Sequence, residues 1–199
     1  MEFDMNEVNI TMLESYVKKA RPMEEMFSVK GKTAIVTGGT SGLGFNIALR
    51  LLQGGANLVI AGSSEEKGAY TLPILEKQGF GDDRVIFCKT NITKEEDVEN
   101  LIRKTDEKFG SIDIFVNSAA IWSYAHIYDL PADEFRRVVD TNVSGAFLGI
   151  KHVSKYMIDH KIRGKITLIS SNAAWLTFPL FGGYANYSAS KGGVTSLAI

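Results

Sequence analysis

The sequence predicts a doubly wound α/β domain, a parallel sheet with helices on both faces, and three observations point to it. From Lys32 onward, short apolar runs alternate with helix-length segments. The runs are rich in Val and Ile and nearly continuous in hydrophobicity, the pattern of strands covered on both faces rather than one. A glycine cluster follows the first run directly, where a strand of this class turns into a helix.

Taken in order, residues 1–27 read as an N-terminal arm and 28–199 as one dinucleotide-binding domain. In the arm, Thr11-Met-Leu-Glu14 has the form of a capping box, so a helix is expected to start there. Met12, Leu13, Tyr16, Val17 and Ala20 recur at helical spacing and Arg21-Pro22 closes the segment, giving a short amphipathic helix expected to lie on the body or on a neighbouring subunit. The five strands are expected at Thr33–Thr37, Asn57–Ala61, Arg84–Lys89, Ile112–Val116 and Lys165–Ser170. Helices are expected around 42–53, 65–78, 94–109 and 131–160. Strand–helix–strand repetition implies right-handed crossovers and hence a parallel sheet.

Composition excludes several classes of function. With 22 basic and 23 acidic side chains the net charge is −1, which lacks the basic excess expected for nucleic acid or an anionic membrane. No apolar run approaches the ~18 residues of a membrane span, and the acidic start is unlike a signal peptide. The lone Cys88 excludes an internal disulfide framework or a cysteine-rich zinc site, and a cytoplasmic location is the simplest reading. The spacings of His126, His152 and His160 match no metal motif, so no metal site is expected.

Thr37-Gly-Gly-Thr-Ser-Gly-Leu-Gly44 places glycines at 38, 42 and 44, where a side chain would keep a phosphate from the helix N-terminus. Phe45, Ile47, Ala48, Leu51 and Leu52 then mark an amphipathic helix. At the end of the second strand an acidic residue would hydrogen-bond the ribose of NAD and repel the 2′-phosphate of NADP. Here the chain reads Ala61-Gly-Ser-Ser64, with no carboxylate before Glu65. Gly62 brings no charge, and Ser63 and Ser64 can donate to a phosphate. No Arg or Lys stands at the site, and Ser41 precedes the second turn glycine, where a base could have helped. The cofactor expected is NADP or NAD, with NADP favoured.

The most informative segment is Ser170-Ser171 … Tyr187-Ser-Ala-Ser-Lys191. Four helical residues advance about 400°, so Tyr187 and Lys191 share a face. A phenol, with a reference pKa near ~10, carries protons poorly at neutral pH unless a cation favours its phenolate. Such a pair can give a proton to a carbonyl oxygen as hydride reaches its carbon. The pair follows the fifth strand, whose end borders the ligand crevice in this class of fold.

With these residues in place the chain resembles the short-chain dehydrogenase/reductase family. Thr37–Gly44 matches its T-G-x-x-x-G-x-G and Tyr187–Lys191 its Y-x-x-x-K; Asn117-Ser-Ala-Ala120 matches the N-A-G-type element, Asn142 the active-site Asn and Ser171 the Ser. The resemblance implies a Rossmann fold with strand order 3-2-1-4-5. It implies Tyr187 as general acid/base and Lys191 as the residue that binds the nicotinamide ribose and acidifies the phenol. Ser171 would hydrogen-bond the substrate oxygen and Asn142 would support a proton-relay water. Gly38, Ser41, Gly42, Leu43 and Gly44 would surround the phosphates and ribose, with Asn117 and Ala119 along the path to the nicotinamide. The implied activity is hydride exchange between NAD(P) and a secondary alcohol/ketone. Met26-Phe-Ser-Val-Lys-Gly-Lys32 resembles the opening of sugar-acid and polyol dehydrogenases, with 3-oxoacyl or steroid-type reductases, or a non-catalytic nucleotide-binding protein, as alternatives. The helices at 131–160 and from 186 would pair across a two-fold into homodimers or homotetramers.

The chain departs from the family pattern in three places. Asn91 stands where an Asp usually contacts adenine, and Ala120 replaces the Gly of the N-A-G element. Family members also continue past the Tyr/Lys helix with two strands and a closing loop, whereas this chain stops at Ile199. It therefore reads as C-terminally incomplete, with the fifth strand at an edge and poor stability and little activity expected of these residues alone. Trp122, Tyr124, His126, Trp175, Phe178 and Phe181 fall on the substrate side, as a pocket wall or as packing. His126 reads as a loop histidine, the Lys/Arg group at 151–165 as a helix-end charge complement, and Cys88 as an inert thiol.

Overall fold

In a computed structural model, residues 5–20, 22–176 and 183–198 are described. Phe178, Phe181 and Ile199 lie outside them.

Helix α1 (Met5–Lys19) and the short α2 (Met23–Met26) precede β1 (Thr33–Thr37). Then follow α3 (Gly42–Gln53), β2 (Asn57–Gly62), α4 (Glu65–Glu76), β3 (Val85–Lys89), α5 (Glu95–Phe109) and β4 (Ile114–Asn117). The last part holds α6 (Ala132–Val139), α7 (Gly145–Asp159), β5 (Lys165–Leu168) and α8 (Ala185–Leu197). All four strand pairings are parallel, in the order β3-β2-β1-β4-β5. The expected doubly wound sheet and its strand order are those observed.

Register decides where a site can form. Thr37 is paired with Ala61 on one side and Asn117 on the other, and Asn117 is paired with Leu168. The C-terminal ends of four strands are therefore level. The chain leaves β1 toward β2 and later returns past it to β4, so the two crossovers diverge at the end of β1, the position where doubly wound sheets open a crevice.

Alternate side chains of the buried strands feed two cores. Ile35, Val59, Ala61, Cys88 and Phe115 pack with Leu101 of α5 and with Val153 and Met157 of α7. Ala34, Val36, Leu58, Ile60 and Val116 pack with Ala48 and Leu52 of α3 and Leu75 of α4. Strand β1 is wholly buried, whereas β5, at the sheet edge, is largely exposed. Cys88 is a buried thiol within β3.

Two segments depart from expectation. The helix of the arm begins by Met5, so Thr11 and Glu14 lie inside it and do not cap it. Met12, Leu13, Tyr16 and Val17 are exposed, so these side chains do not pack on the body. The single helix expected over 131–160 is interrupted by a π turn, Asp140–Ser144, in which the Gly145 amide reaches back to the Asp140 carbonyl. One extra residue per turn rotates Asn142 into the interior, and such turns recur at functional sites.

Phe115 is fully buried, and a Cβ on Gly149 of α7 would come within 2.6 Å of its ring. Replacing Phe115 with Ala should cost about 3–5 kcal/mol in urea unfolding. A loss below ~1 kcal/mol would contradict this packing.

Candidate active site

The crevice over the strand ends is a cleft of about 610 Å³, within the usual size range of small-molecule sites. Gly38, Ser41, Gly42, Leu43, Gly44, Gly62, Ser63, Ser64, Asn91, Ala119, Tyr187 and Lys191 all line it, as the sequence reading expects. Asn117, Asn142 and Ser171 are not among its lining residues.

The turn after β1 has steric reasons for its glycines. Gly38 has φ +67°, and a Cβ there would lie 2.9 Å from the backbone of Ala119. A Cβ on Gly44 would run into the Gly38 carbonyl. Glycine at 44 lets α3 start close against the turn, leaving its first amides open to the cleft. Thr37 fixes the other wall: its hydroxyl donates to Asn117 Oδ1 at 2.8 Å and accepts from the Ala119 amide at 3.3 Å. Asn117, expected on the cofactor path, is buried in this clasp between β1 and β4 instead.

At the far end of the cleft, Ser64 caps α4 by accepting the Lys67 amide at 3.2 Å, which leaves its own hydroxyl proton to donate. Lys67 also lines the cleft here. Ala61–Ser64 holds no base, but one helical turn later Lys67 supplies one. Glu65, the nearest carboxylate, accepts from Lys89 at 3.2 Å. Asn91 directs its oxygen to the Thr93 amide and hydroxyl at 3.1 and 2.9 Å, ordering the loop before α5.

At the opposite end, Lys191 lies 4% exposed with Nζ donating to the Ile169 carbonyl at 2.6 Å. The Ile169 amide in turn donates to the Asn117 carbonyl, tying the end of β5 to β4. Lys191 Nζ stands 5.6 Å from the Tyr187 ring centroid, so the two side chains do share one face. Burial pushes the Lys191 ammonium below its ordinary pKa. Two of its three N–H donors remain for the cleft.

Asn142 is 1% exposed, and its amide is fully used: Nδ2 donates to the Ile121 carbonyl and Ser190 Oγ, while Oδ1 accepts the Ile121 amide, at 2.8–2.9 Å. It thus ties the loop after β4 to α8. Ser171 Oγ accepts the Ala173 amide at 3.2 Å and so caps a 3₁₀ turn, Asn172–Ala174.

The aromatic residues split. Trp122 lines the cleft, with its ring 5.5 Å from that of Tyr184, which packs on Tyr124. His126 stacks on Tyr128 outside the cleft, as a loop histidine would. Elsewhere, Glu95, Glu99 and His152 bring ligand-type atoms within 4.8 Å of one another, a convergence their sequence spacing does not reveal. Glu95 already accepts from Lys151 at 2.6 Å and contacts His152 at 2.8 Å, and this pairing lowers its pKa.

Comparison with known proteins now decides the family. The family profile described as short chain dehydrogenase matches residues 32–199. The chain belongs to the short-chain dehydrogenase family. It is 36% identical over 169 residues to an uncharacterized oxidoreductase of Thermotoga maritima, covering 85% of this chain and 63% of that protein. It is also 36% identical to a 2-dehydro-3-deoxy-D-gluconate 5-dehydrogenase of Formosa agariphila, covering 87% and 63%. A crystal structure of a short-chain type dehydrogenase/reductase from Mycobacterium marinum superposes with a TM-score of 0.84 at 26% identity, covering 89% and 70% of the two chains. The chain thus spans about 63% of the length of these two curated relatives. No helix among its described residues is long and apolar enough to cross a membrane.

The buried ammonium makes a sign-definite prediction. Because Lys191 is held below its ordinary pKa when folded, the unfolded chain binds more protons in the window between the two values. The burial cost is full below the folded pKa and is lost as pH rises through that window. Urea unfolding of the wild type relative to Lys191→Met should therefore show stability increasing from neutral pH toward the ordinary lysine range. A flat or falling difference would contradict the burial.

Proposed function

We propose that this protein is an NAD(P)-dependent oxidoreductase that exchanges hydride between the nicotinamide and a secondary alcohol/ketone pair. The observation that carries the proposal is the Tyr187–Lys191 pair at one end of a cleft whose other end is a glycine turn shaped for phosphates. The residues fit a dinucleotide: a Cβ on Gly42 would meet no protein atom within 4 Å, so that part of the turn is open to the cleft it lines, and the cleft runs from Lys67 to Lys191. When bound, the cofactor supplies the hydride donor or acceptor.

The protein's own residues do the rest. Gly38, Ser41, Gly42, Leu43 and Gly44 hold the pyrophosphate, and the buried Lys191 ammonium holds the nicotinamide-end ribose. Tyr187 gives its phenolic proton to the carbonyl oxygen in reduction and takes the hydroxyl proton in oxidation. The ammonium beside the ring favours the phenolate left behind. Asn142 fixes the Ile121 backbone and α8 around this point, supporting the proton path. Ser171 would donate its hydroxyl proton to the substrate oxygen in place of Asn172 Oδ1, which it meets at 3.3 Å, while its oxygen keeps the cap.

For the cofactor, NADP is favoured over NAD. Gly62 offers no carboxylate, Ser63 and Ser64 have hydroxyl donors, Lys67 adds a cation, and Glu65 accepts a hydrogen bond from Lys89. A hydroxylated sugar-acid or polyol substrate is supported by the relative named 2-dehydro-3-deoxy-D-gluconate 5-dehydrogenase. We further take the working form to be a cytoplasmic homodimer or homotetramer, with residues 1–27 as an arm on the catalytic domain.

Tyr187→Phe should lower turnover of a reducible ketone by roughly 10²–10⁴-fold while NADPH binding is retained. Near-normal kcat would remove the phenol from the mechanism. Lys67→Ala should weaken binding of 2′,5′-ADP roughly 10- to 150-fold and leave ADP unchanged, since the charge-assisted bond it loses is worth roughly 1.5–3 kcal/mol. Equal effects on both nucleotides would argue against NADP.

A further inference from the structure

The backbone of Tyr187 is gripped from both sides by side chains that converge on one short stretch of loop. Its amide lies in the first turn of α8 and has no carbonyl four residues back to meet, since the first helical bond runs from Ser188 to Tyr184. The Asn186 oxygen takes it instead, at 2.6 Å. The same Asn186 side chain, 0% exposed, donates through Nδ2 to Ser123 Oγ at 2.6 Å. Nearby, Arg137 holds the Glu134 carboxylate in a two-pronged pair at 2.7 and 2.8 Å, and Arg137 and then Ser123 lower its pKa to about 2. On the other side, Ser190 Oγ donates to the Tyr187 carbonyl at 2.7 Å and accepts from Asn142, whose amide clasps both backbone groups of Ile121.

These two chains of hydrogen bonds end on Ile121 and Ser123, the neighbours of Trp122, which lines the cleft beside Tyr187. Trp122 is therefore fixed relative to the phenol by bonds at both flanks, and Tyr184, one residue before α8, packs on it. A buried Asn with both ends of its amide used is costly to strand, so its partners lock its rotamer.

We propose that Asn186 is a positioning residue: through Ser123 it sets the Tyr187 phenol at a fixed distance from Lys191 and from the Trp122 wall, where the substrate carbonyl is presented. This rests on the assignment of Tyr187 as the proton carrier. Shortening Asn186 or removing the Ser123 hydroxyl removes one of the ties between the first turn of α8 and the loop and leaves the tie through Ser190 and Asn142. The phenol then drifts relative to the ammonium and to the wall.

The test compares Ser123→Ala, Asn186→Ala and the double variant. Ser123→Ala, at a half-buried position, keeps the inference testable if Asn186→Ala folds poorly. Ionisation of Tyr187 is read without substrate as the tyrosinate absorbance of each protein minus that of its Tyr187→Phe counterpart. The expected result is a displaced Tyr187 titration midpoint in each single variant, with the double displaced no further than Asn186→Ala, because both break the Asn186–Ser123 bond and Asn186→Ala also removes the acceptor of the Tyr187 amide. With a ketone substrate kcat should fall roughly 10- to 100-fold, as small misplacements at a reacting group do, while the Kd for NADPH stays within a factor of about two. An unmoved midpoint with unchanged kcat overturns the inference, as does a loss confined to melting temperature. A displaced midpoint in a protein that transfers no hydride to any ketone would instead count against the redox reading and leave the positioning of Tyr187 supported.

Discussion

The arrangement depends on keeping one ammonium out of water at the place where the sheet ends. Lys191 is buried, and desolvation works against its charge, yet the Ile169 carbonyl receives one of its protons at 2.6 Å. That bond, with those of Ser170 Oγ to the Lys191 carbonyl and to Thr195 Oγ1, joins α8 to the end of β5. Because Ile169 is in turn bonded to Asn117, and Asn117 to Thr37, the chain of contacts runs from α8 to the centre of the sheet. The position of Tyr187, one turn earlier on α8, follows from it. A lysine left unanchored would extend to solvent, and the phenol would face an empty crevice.

The other half of the cleft is shaped by exclusion of side chains. The β1 turn passes so near Ala119 and the start of α3 that only glycine fits at 38 and 44, whereas Gly42 between them faces open space, where a phosphate can approach backbone amides. The level C-terminal ends of β2, β1, β4 and β5 put both halves on one rim. A sheet slipped by one residue would turn Thr37 and Asn117 away from each other, and the wall beneath Ala119 would lose its clasp.

Features set by local chemistry were readable from the chain itself. The strand cores, the glycine turn and the four-residue spacing of Tyr187 and Lys191 depend on neighbours a few positions away, and the structure has them where the sequence put them. What could not be read depends on distant partners. Asn186 stands beside Tyr187, but its meaning comes from Ser123, 63 positions earlier. Lys67 joins the cleft only once the first turn of α4 is set against the end of β2. The π turn at Asp140–Ser144, within which Asn142 is buried, has no compositional mark. Asn117 looked like a ligand contact because it borders the crevice, whereas its amide closes the sheet. The Thr11–Glu14 pattern resembled a helix start because the same residue types also occur within helices.

The most direct measurement is a crystal structure of the chain soaked with oxidised NADP. The account predicts the ribose at the nicotinamide end hydrogen-bonded to both Lys191 Nζ and Tyr187 Oη, with the pyrophosphate over the turn at Gly38–Gly44. A dinucleotide seated with that ribose away from Lys191, or density outside the cleft altogether, would contradict it.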